Sequence, residues 1–211
     1  PMNGVLGMAQ LLMDTDLTYQ QSEYARVIQT SGEALLGIIN DVLDFSKIEA
    51  ERLVLDPVEF DLARFFEETV EQHALAASTR DIELIAEVAP ALPHRVRADS
   101  HRLGQVVRNL VSNAIKFTEH GEVRVQVAPV VEKPGVLRCS VSDTGIGIPT
   151  EALARLFQPF VQADASTTRN FGGTGLGLAI AHRLATALGG EVQVESELGA
   201  GSTFRFTGQF Q

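Results

Sequence analysis

The chain has 211 residues, of which 45% are apolar, enough for one large domain or for one ordinary domain with a small satellite. Its 17 Lys and Arg against 27 Asp and Glu give a formal net charge of −10, and no basic run is present. We therefore do not expect DNA or RNA as a partner, because a surface that binds nucleic acid must neutralise successive phosphates with basic side chains. A compact polyphosphate is not excluded, since backbone amides, a helix N-terminus and a metal ion can hold it.

Cys139 is the only cysteine, so no intrachain disulfide can form and nothing indicates an oxidising compartment. It alternates with Leu137 and Val141 on a predicted strand, which favours a small apolar core residue over a reactive thiol. No apolar run reaches the roughly 20 residues of a membrane span, and no secretory signal is present. We expect a cytoplasmic segment without direct membrane contact. A helical pattern begins at Pro1 with no capping residue before it, so we expect the sequence to be a segment of a longer protein.

Two helices are predicted at the start of the chain. Residues 5–12 form a short apolar helix, and Thr18 can cap a longer one. The longer helix carries a seam with alternating spacings of four and three, at Tyr24, Ile28, Ser31, Leu35, Ile38, Val42 and Phe45. So much apolar surface on an antiparallel hairpin predicts a homodimer through a four-helix bundle. The alternative is a stem that folds back on the rest of its own chain.

The periodicity changes after Glu51, and Pro57 lies in an extended stretch at 53–60, so we divide the chain into domains 1–52 and 53–211. Helices and strands alternate in the second domain. The predicted helices are 62–77, 99–117 and 176–188, and the predicted strands are 82–88, 95–98, 122–130, 136–142, 191–196 and 202–210. Hairpin strands with helices on one face predict an α+β fold, a two-layer α/β sandwich.

Three polar residues, Asn109, Asn113 and Lys116, share one face of the predicted helix 99–117. A polar stripe on a buried helix costs free energy unless something occupies it. Amide oxygens suit a hard cation such as Mg²⁺ that keeps part of its water shell. The alternative is a pair of ordinary surface asparagines.

An acid and two glycines follow a predicted strand in the segment Asp143-Thr144-Gly145-Ile146-Gly147. The glycines allow a tight turn, and the carboxylate can accept a hydrogen bond from a planar donor such as the amine of adenine. An ordinary Asp-containing turn is the alternative at this position.

A second glycine-rich segment, Phe171-Gly172-Gly173-Thr174-Gly175-Leu176-Gly177-Leu178, opens the helix at 176–188. Glycines there let backbone N–H groups approach phosphate oxygens at the positive end of the helix dipole. The spacing is neither that of a Rossmann motif nor that of a P-loop. The paired phenylalanines Phe157 and Phe160 precede a polar stretch at 162–170, which is a candidate lid.

In this order, after a helical stem, the four segments closely resemble the N, G1, F and G2 boxes of bacterial sensor histidine kinases, which have the Bergerat ATP-binding fold. The resemblance covers nearly all of the chain and implies ATP and Mg²⁺ as cofactors. It implies that Asn113 ligates Mg²⁺ beside Asn109, that Lys116 approaches the phosphates and that Asp143 accepts the adenine amine. The other nucleotide contacts that it implies are Gly145, Gly147, Arg169, Gly173, Thr174, Gly175, Leu176, Gly177 and Thr203.

The segment from Pro1 to Met8 is similar to the residues directly after His-Glu-Ile-Arg-Thr in hybrid kinases, so the phosphoacceptor His is expected five positions before Pro1. The resemblance implies ATP-dependent autophosphorylation there and relay to an aspartate of a response-regulator receiver domain. We expect the chain itself to bind Mg-ATP without phosphorylating itself. The five histidines of the chain lie outside the stem and are interpreted as surface or helix residues: His73, His94, His101, His120 and His182.

Two other functions compete with a histidine kinase. In ATP hydrolases of the same fold a glutamate one turn before the metal-binding asparagine activates water, but Asn109 occupies that position and cannot act as a base. A scaffolding pseudokinase is the other alternative. The four intact motifs argue against a decayed site.

Overall fold

A computed structural model of the protein describes residues 2–50, 53–161 and 175–210. The chain forms two compact units, residues 1–51 and 52–211, called here the stem and the sandwich. Within the described residues, no helix combines the length and the apolar character needed to cross a bilayer.

The stem consists of helix α1 (Met2–Met13) and helix α2 (Tyr19–Glu49). Thr18 caps α2 as predicted: its hydroxyl accepts from Gln21 N at 3.3 Å, and Gln21 Oε1 accepts from Thr18 N at 2.9 Å. The two helices approach closely where Leu6 packs against Gly32, since a Cβ at residue 32 would lie 2.7 Å from Leu6 Cδ2. Most of the seam on α2 is exposed, and Phe45 is its buried member.

The sandwich contains a five-stranded sheet in the order β2-β4-β5-β7-β6, in which β2 and β4 are parallel and the other neighbours are antiparallel. A separate antiparallel pair joins β1 and β3. The strands are β1 (Val58–Asp61), β2 (Ile82–Val88), β3 (Arg95–Ala98), β4 (Gly121–Pro129), β5 (Val136–Asp143), β6 (Val192–Glu197) and β7 (Gly201–Gln209).

Helices cover one face of the large sheet. The helices are α3 (Leu62–Glu71), α4 (Ala74–Ser78), α5 (Ser100–Phe117), α6 (Thr150–Leu153) and α7 (Gly177–Ala187). Alternate residues of β5 and β7, such as Val141 and Phe206, point into the core with the buried side of α5. Cys139 is buried among them, and burial raises the pKa of its thiol to about 12. The predicted two-layer α/β sandwich is confirmed, and Cys139 is a core residue as expected.

The predicted helix 62–77 is wrong in one respect, because the chain breaks it at Gln72 and His73 into α3 and α4. Leu62, Phe66 and Ala77 are nevertheless all buried. The apolar face thus continues across the break at helical spacing, and periodicity alone does not reveal where the hydrogen-bonded turns end.

Candidate functional site

Asp143 lies at the end of β5 with 9% of its surface exposed. Its Oδ1 accepts a hydrogen bond from Gly145 N at 2.9 Å, and the Ser202 amide also donates to the carboxylate. Burial raises the pKa of Asp143, and the two amide bonds oppose that rise. Because an ionised carboxylate offers about four acceptor positions, a further donor can still be bound. Asp143 is a buried acceptor whose orientation is fixed by backbone.

The loop after Asp143 needs its glycines. A Cβ at Gly145 would collide with the Phe117 carbonyl oxygen at the end of α5. Gly147 has φ +68°, and a Cβ there would collide with the Glu197 carbonyl oxygen at the end of β6. The loop is thereby held against both elements, and the position of the Asp143 carboxylate is fixed with it.

The polar stripe on α5 comprises Asn109, Asn113 and Lys116. Asp99 caps this helix, since its Oδ1 accepts from Arg102 N at 2.9 Å. All three stripe residues are half-buried. Burial lowers the pKa of Lys116, whose ammonium lies 5.0 Å from the centre of its neighbouring aromatic ring at residue 117. Half-buried amides and a partly desolvated ammonium form a surface suited to an anionic ligand.

Helix α5 contacts both glycine-containing segments. Asn109 Nδ2 donates to Gly177 O at the start of α7 at 3.1 Å, and Ile146 N donates to Phe117 O at 3.1 Å. These bonds join residues far apart in sequence. The predicted N, G1 and G2 segments therefore meet around one helix.

The second glycine-rich segment is described from Gly175 onward. Gly175 has φ +69°, and its carbonyl accepts from Phe160 N at 3.1 Å. Leu176 is buried just before α7 begins at Gly177. The predicted contacts Arg169, Gly173 and Thr174, and the candidate lid at 162–170, lie outside the described residues.

Ser202 is a residue that the motif comparison missed. It is buried directly opposite Asp143 in the β5–β7 pairing, and its hydroxyl lies 3.0 Å from that of Ser196 on β6. Thr203 instead donates to Ser142 Oγ at 3.0 Å, and strand alternation places both on the other face of the sheet. The sequence did indicate this orientation, because Ser202 lies at every-second-residue spacing from Phe204 and Phe206 and therefore shares their buried face of β7.

A cavity of about 350 Å³ opens at this end of the sheet. Its lining comes from β5, β6, β7 and the turn between the last two: Asp143, Glu195, Ser196, Glu197, Ala200, Gly201, Ser202 and Thr203. No residue of the α5 stripe lines it. A ligand that used both Asp143 and the stripe would therefore extend beyond this cavity.

Two of the five histidines are half-buried, and the other three, His94, His101 and His120, are exposed. His73 is half-buried between α3 and α4, and burial together with the charge of Arg108 lowers its pKa. The centres of the His182 and Phe157 rings lie 4.9 Å apart. Within the described ranges, no group of three or more His, Cys, Asp or Glu side chains that could hold a metal ion occurs.

Two family models match this chain. Residues 98–211 match the histidine kinase-, DNA gyrase B- and HSP90-like ATPase family, and residues 1–51 match the His Kinase A (phospho-acceptor) domain. The first match alone covers more than half of the chain. The chain belongs to the histidine kinase-, DNA gyrase B- and HSP90-like ATPase family, as the four motifs predicted.

Curated relatives agree with this assignment. The chain is 46% identical over 206 residues to the sensor protein GacS of Pseudomonas syringae pv. syringae, covering 97% of this chain and 23% of the relative. It is 42% identical over 212 residues to the signal transduction histidine-protein kinase BarA of Escherichia coli K12, covering 98% and 23%. The chain thus spans about a quarter of the length of these relatives.

Solved structures give the same fold. The crystal structure of full-length ShkA in complex with AMPPNP superposes with a TM-score of 0.83 at 40% identity, covering all of this chain and 43% of that one. The Acinetobacter baumannii histidine kinase AdeS superposes with a TM-score of 0.70 over 99% of this chain and 94% of its own. At 21% identity, that second likeness concerns the fold alone.

Proposed function

We propose that the sandwich binds Mg-ATP and that, in a longer protein, it phosphorylates a stem histidine five positions before Pro1. The phosphoryl group would then pass to an aspartate of a response-regulator receiver domain. We assign residues 1–52 to a partial dimerisation and phosphotransfer hairpin, and residues 53–211 to the catalytic domain. The observation that carries the proposal is the meeting of three motif segments around α5, through Asn109 with Gly177 and Phe117 with Ile146.

Asp143 would accept the exocyclic amine of adenine. Its carboxylate is buried, and the rise that burial causes in its pKa reflects the cost of keeping it charged there. A donated hydrogen bond from the ligand would favour the charged form. Gly145 and Gly147 would shape the adenine pocket, and Ser202, on the same sheet face as Asp143, would be a neighbour of the adenine ring. The ShkA neighbour was solved in complex with AMPPNP, which supports a nucleotide as the ligand.

The phosphates would lie between the α5 stripe and the start of α7. Lys116 would supply a cation, and the backbone around Gly175, Leu176 and Gly177 would supply N–H donors at a helix N-terminus. Desolvation lowers the pKa of Lys116, and the negative charge of a phosphate beside it would oppose that lowering and favour the charged ammonium. Arg169, Gly173 and Thr174 remain proposed contacts from the motif resemblance, and Ser202 is proposed in place of Thr203, which lies on the face opposite Asp143.

Asn113 would provide the protein ligand for Mg²⁺ through its amide oxygen. The described residues contain no acidic cluster for a resident ion, whereas Mg²⁺ commonly keeps its waters and binds one or two protein ligands together with substrate phosphates. The donor set therefore fits an ion that arrives with the nucleotide. Such an ion neutralises charge on the phosphates.

The residues of the site suit phosphoryl transfer better than hydrolysis. Transfer needs positioning and charge stabilisation, which the fixed backbone around Asp143 and the α5 stripe would supply. The Asn109 amide donates to Gly177 O, and an amide cannot remove a proton from water. We expect slow ATP hydrolysis by this chain.

The proposed partners are a second copy of the chain, through the stem, and a receiver domain. The exposed apolar seam on α2 supports the first, and the similarity to the signal transduction histidine-protein kinase BarA supports the second. The acidic composition gives no reason to propose nucleic acid. The proposed location of this segment is the cytoplasm.

The test is a titration of the full chain with a fluorescent ATP analogue and Mg²⁺. Wild type and the control Asn40→Ala, on exposed surface of α2, should bind alike, whereas Asn113→Ala should bind at least about tenfold more weakly. A chain extended upstream to include the expected histidine should take up labelled γ-phosphate, and its His→Gln variant should not. Equal binding by Asn113→Ala would contradict the proposed metal and phosphate site.

A further inference from the structure

The C-terminal end of α5 is held from outside the helix. The last four carbonyl groups of an α-helix have no intrahelical donor, and in α5 these belong to residues 114–117. Thr118 Oγ1 donates to Ala114 O at 2.8 Å. Ile146 N, in the loop after Asp143, donates to Phe117 O at 3.1 Å.

Arg80, between α4 and β2, donates to the other two of these carbonyl groups, those of Ile115 and Lys116. Its Nη1 donates to Ile115 O at 3.1 Å and to Lys116 O at 2.9 Å. A cation at this end also interacts favourably with the negative end of the helix dipole. All four terminal carbonyls of α5 therefore have specific partners, and Arg80 bonds half of them.

We propose that Arg80 is a positioning residue of the nucleotide site. Its two bonds go to the backbone of the last turn of α5, so it would act on the ligand through that turn. The inference rests on the proposed function, since it concerns the affinity of the same site for Mg-ATP.

The last turn of α5 connects both halves of the site. Lys116 extends from it, and Phe117 O holds Ile146 in the loop after Asp143, where the Gly145 amide donates to the Asp143 carboxylate. That loop has little freedom to compensate, because Gly145 already lies against the same carbonyl. A displaced last turn would move the cation and the adenine acceptor together.

Two substitutions separate the donors of Arg80 from its bulk. Arg80→Met keeps an unbranched apolar stem and removes the charge and the donors. Arg80→Lys keeps one cationic nitrogen that can donate to both carbonyl groups, as the single nitrogen Nη1 of Arg80 does. Arg64→Met on α3 is the matched control, since Arg64 is exposed and pairs with Glu68.

The experiment measures, in the full chain, the Kd for a fluorescent ATP analogue with Mg²⁺ and hydrogen exchange at the Ile146 amide by NMR. Arg80→Met should raise the Kd by about threefold to tenfold, the range expected for losing a modest hydrogen-bonding contribution. Exchange at Ile146 should become faster, while exchange in β4 and β5 should stay unchanged. Arg80→Lys and Arg64→Met should stay within about twofold of the wild-type Kd.

The outcomes distinguish this inference from the proposed function. A wild type that binds no nucleotide overturns both. A binding wild type together with an Arg80→Met variant of unchanged Kd overturns the positioning role alone, as does an equal loss in Arg64→Met. If Arg80→Met fails to fold, Arg80→Gln takes its place in the same two measurements, with the same results expected.

Discussion

The stem and the sandwich differ in where their apolar side chains lie. In the sandwich, Phe66 on α3, Leu110 on α5 and Phe206 on β7 are each only 1% exposed. In the stem, Leu35, Ile38 and Val42 on one face of α2 are 42–44% exposed. The sandwich thus completes its core within one chain, whereas the stem leaves its seam for another surface to cover. Nucleotide binding and dimerisation should accordingly be separable properties of the two units.

The largest effect that we expect is on dimerisation. Ile38→Asp places a carboxylate in the apolar seam, and symmetry places two in each dimer, where burying unpaired charge is costly. Association should weaken by about 100-fold or more. Light scattering after size exclusion should then detect a monomer of 22.8 kDa in place of a dimer.

The control for the stem is Asn40→Asp, which adds the same charge two residues along α2 at an exposed position outside the seam. It should remain a dimer, and Ile38→Asp should still bind the ATP analogue like the wild type. If the Ile38→Asp variant stayed dimeric, the seam would not be the dimer interface. If it lost nucleotide binding, the two units would not be separable.

The reciprocal effect is expected at Asp143. Asp143→Asn removes the charge from the adenine acceptor, and losing a charge-assisted hydrogen bond should weaken binding of the ATP analogue by about 10- to 100-fold. Dimerisation should be unchanged. Isothermal titration calorimetry measures the affinity for the ATP analogue, and light scattering measures the oligomeric state.

Asp16→Asn, in the exposed loop between α1 and α2, is the matched control for the loss of a carboxylate. It should bind the analogue like the wild type. Undiminished affinity in Asp143→Asn would remove the carboxylate from the proposed adenine site.

Much of the fold follows from local signals. The cap at Thr18 and the strand at 82–88 were predicted because a capping side chain and an apolar pattern act over a few residues. The break at Gln72 and His73 was missed, because the apolar spacing continues across it.

The long-range parts of the site were not predictable in the same way. Arg80 meets Ile115 across 35 residues of chain, and no local pattern specifies that contact. The motifs did indicate that Asn109 and Gly177 belong to one site, but not the hydrogen bond between them. Placing Ser202 on the face of Asp143 required only strand alternation, together with the pairing of β5 and β7.

The raised pKa of Asp143 gives a pH-dependent difference in stability without nucleotide. Because burial raises this pKa above the ordinary 3.8, the folded chain binds more protons than the unfolded chain between the two values. The contribution of Asp143 to the free energy of unfolding is therefore greatest below pH 3.8 and falls as the pH rises through the raised pKa. Asp143→Asn should gain stability relative to the wild type across that window, and the difference should then become constant.

Chemical denaturation of both chains, at pH steps from about 3.5 to 7, measures this difference. Other carboxyl groups are common to the two chains and cancel in the subtraction. A difference that shrank as the pH rose would have the wrong sign and would mean that the amide bonds to Asp143 outweigh its burial.

The smallest effect concerns the two faces of β7. Ser202→Ala removes a hydroxyl on the face of Asp143, whereas Thr203→Ala removes one bonded to Ser142 on the opposite face. We expect Ser202→Ala to raise the Kd for the ATP analogue by about threefold, which is in the lower part of the range for one neutral hydrogen bond. Thr203→Ala should raise this Kd by less than about twofold. Each variant is the other's control, because both lose one β7 hydroxyl. The reverse order would favour the motif resemblance over strand alternation and return Thr203 to the adenine side of the sheet.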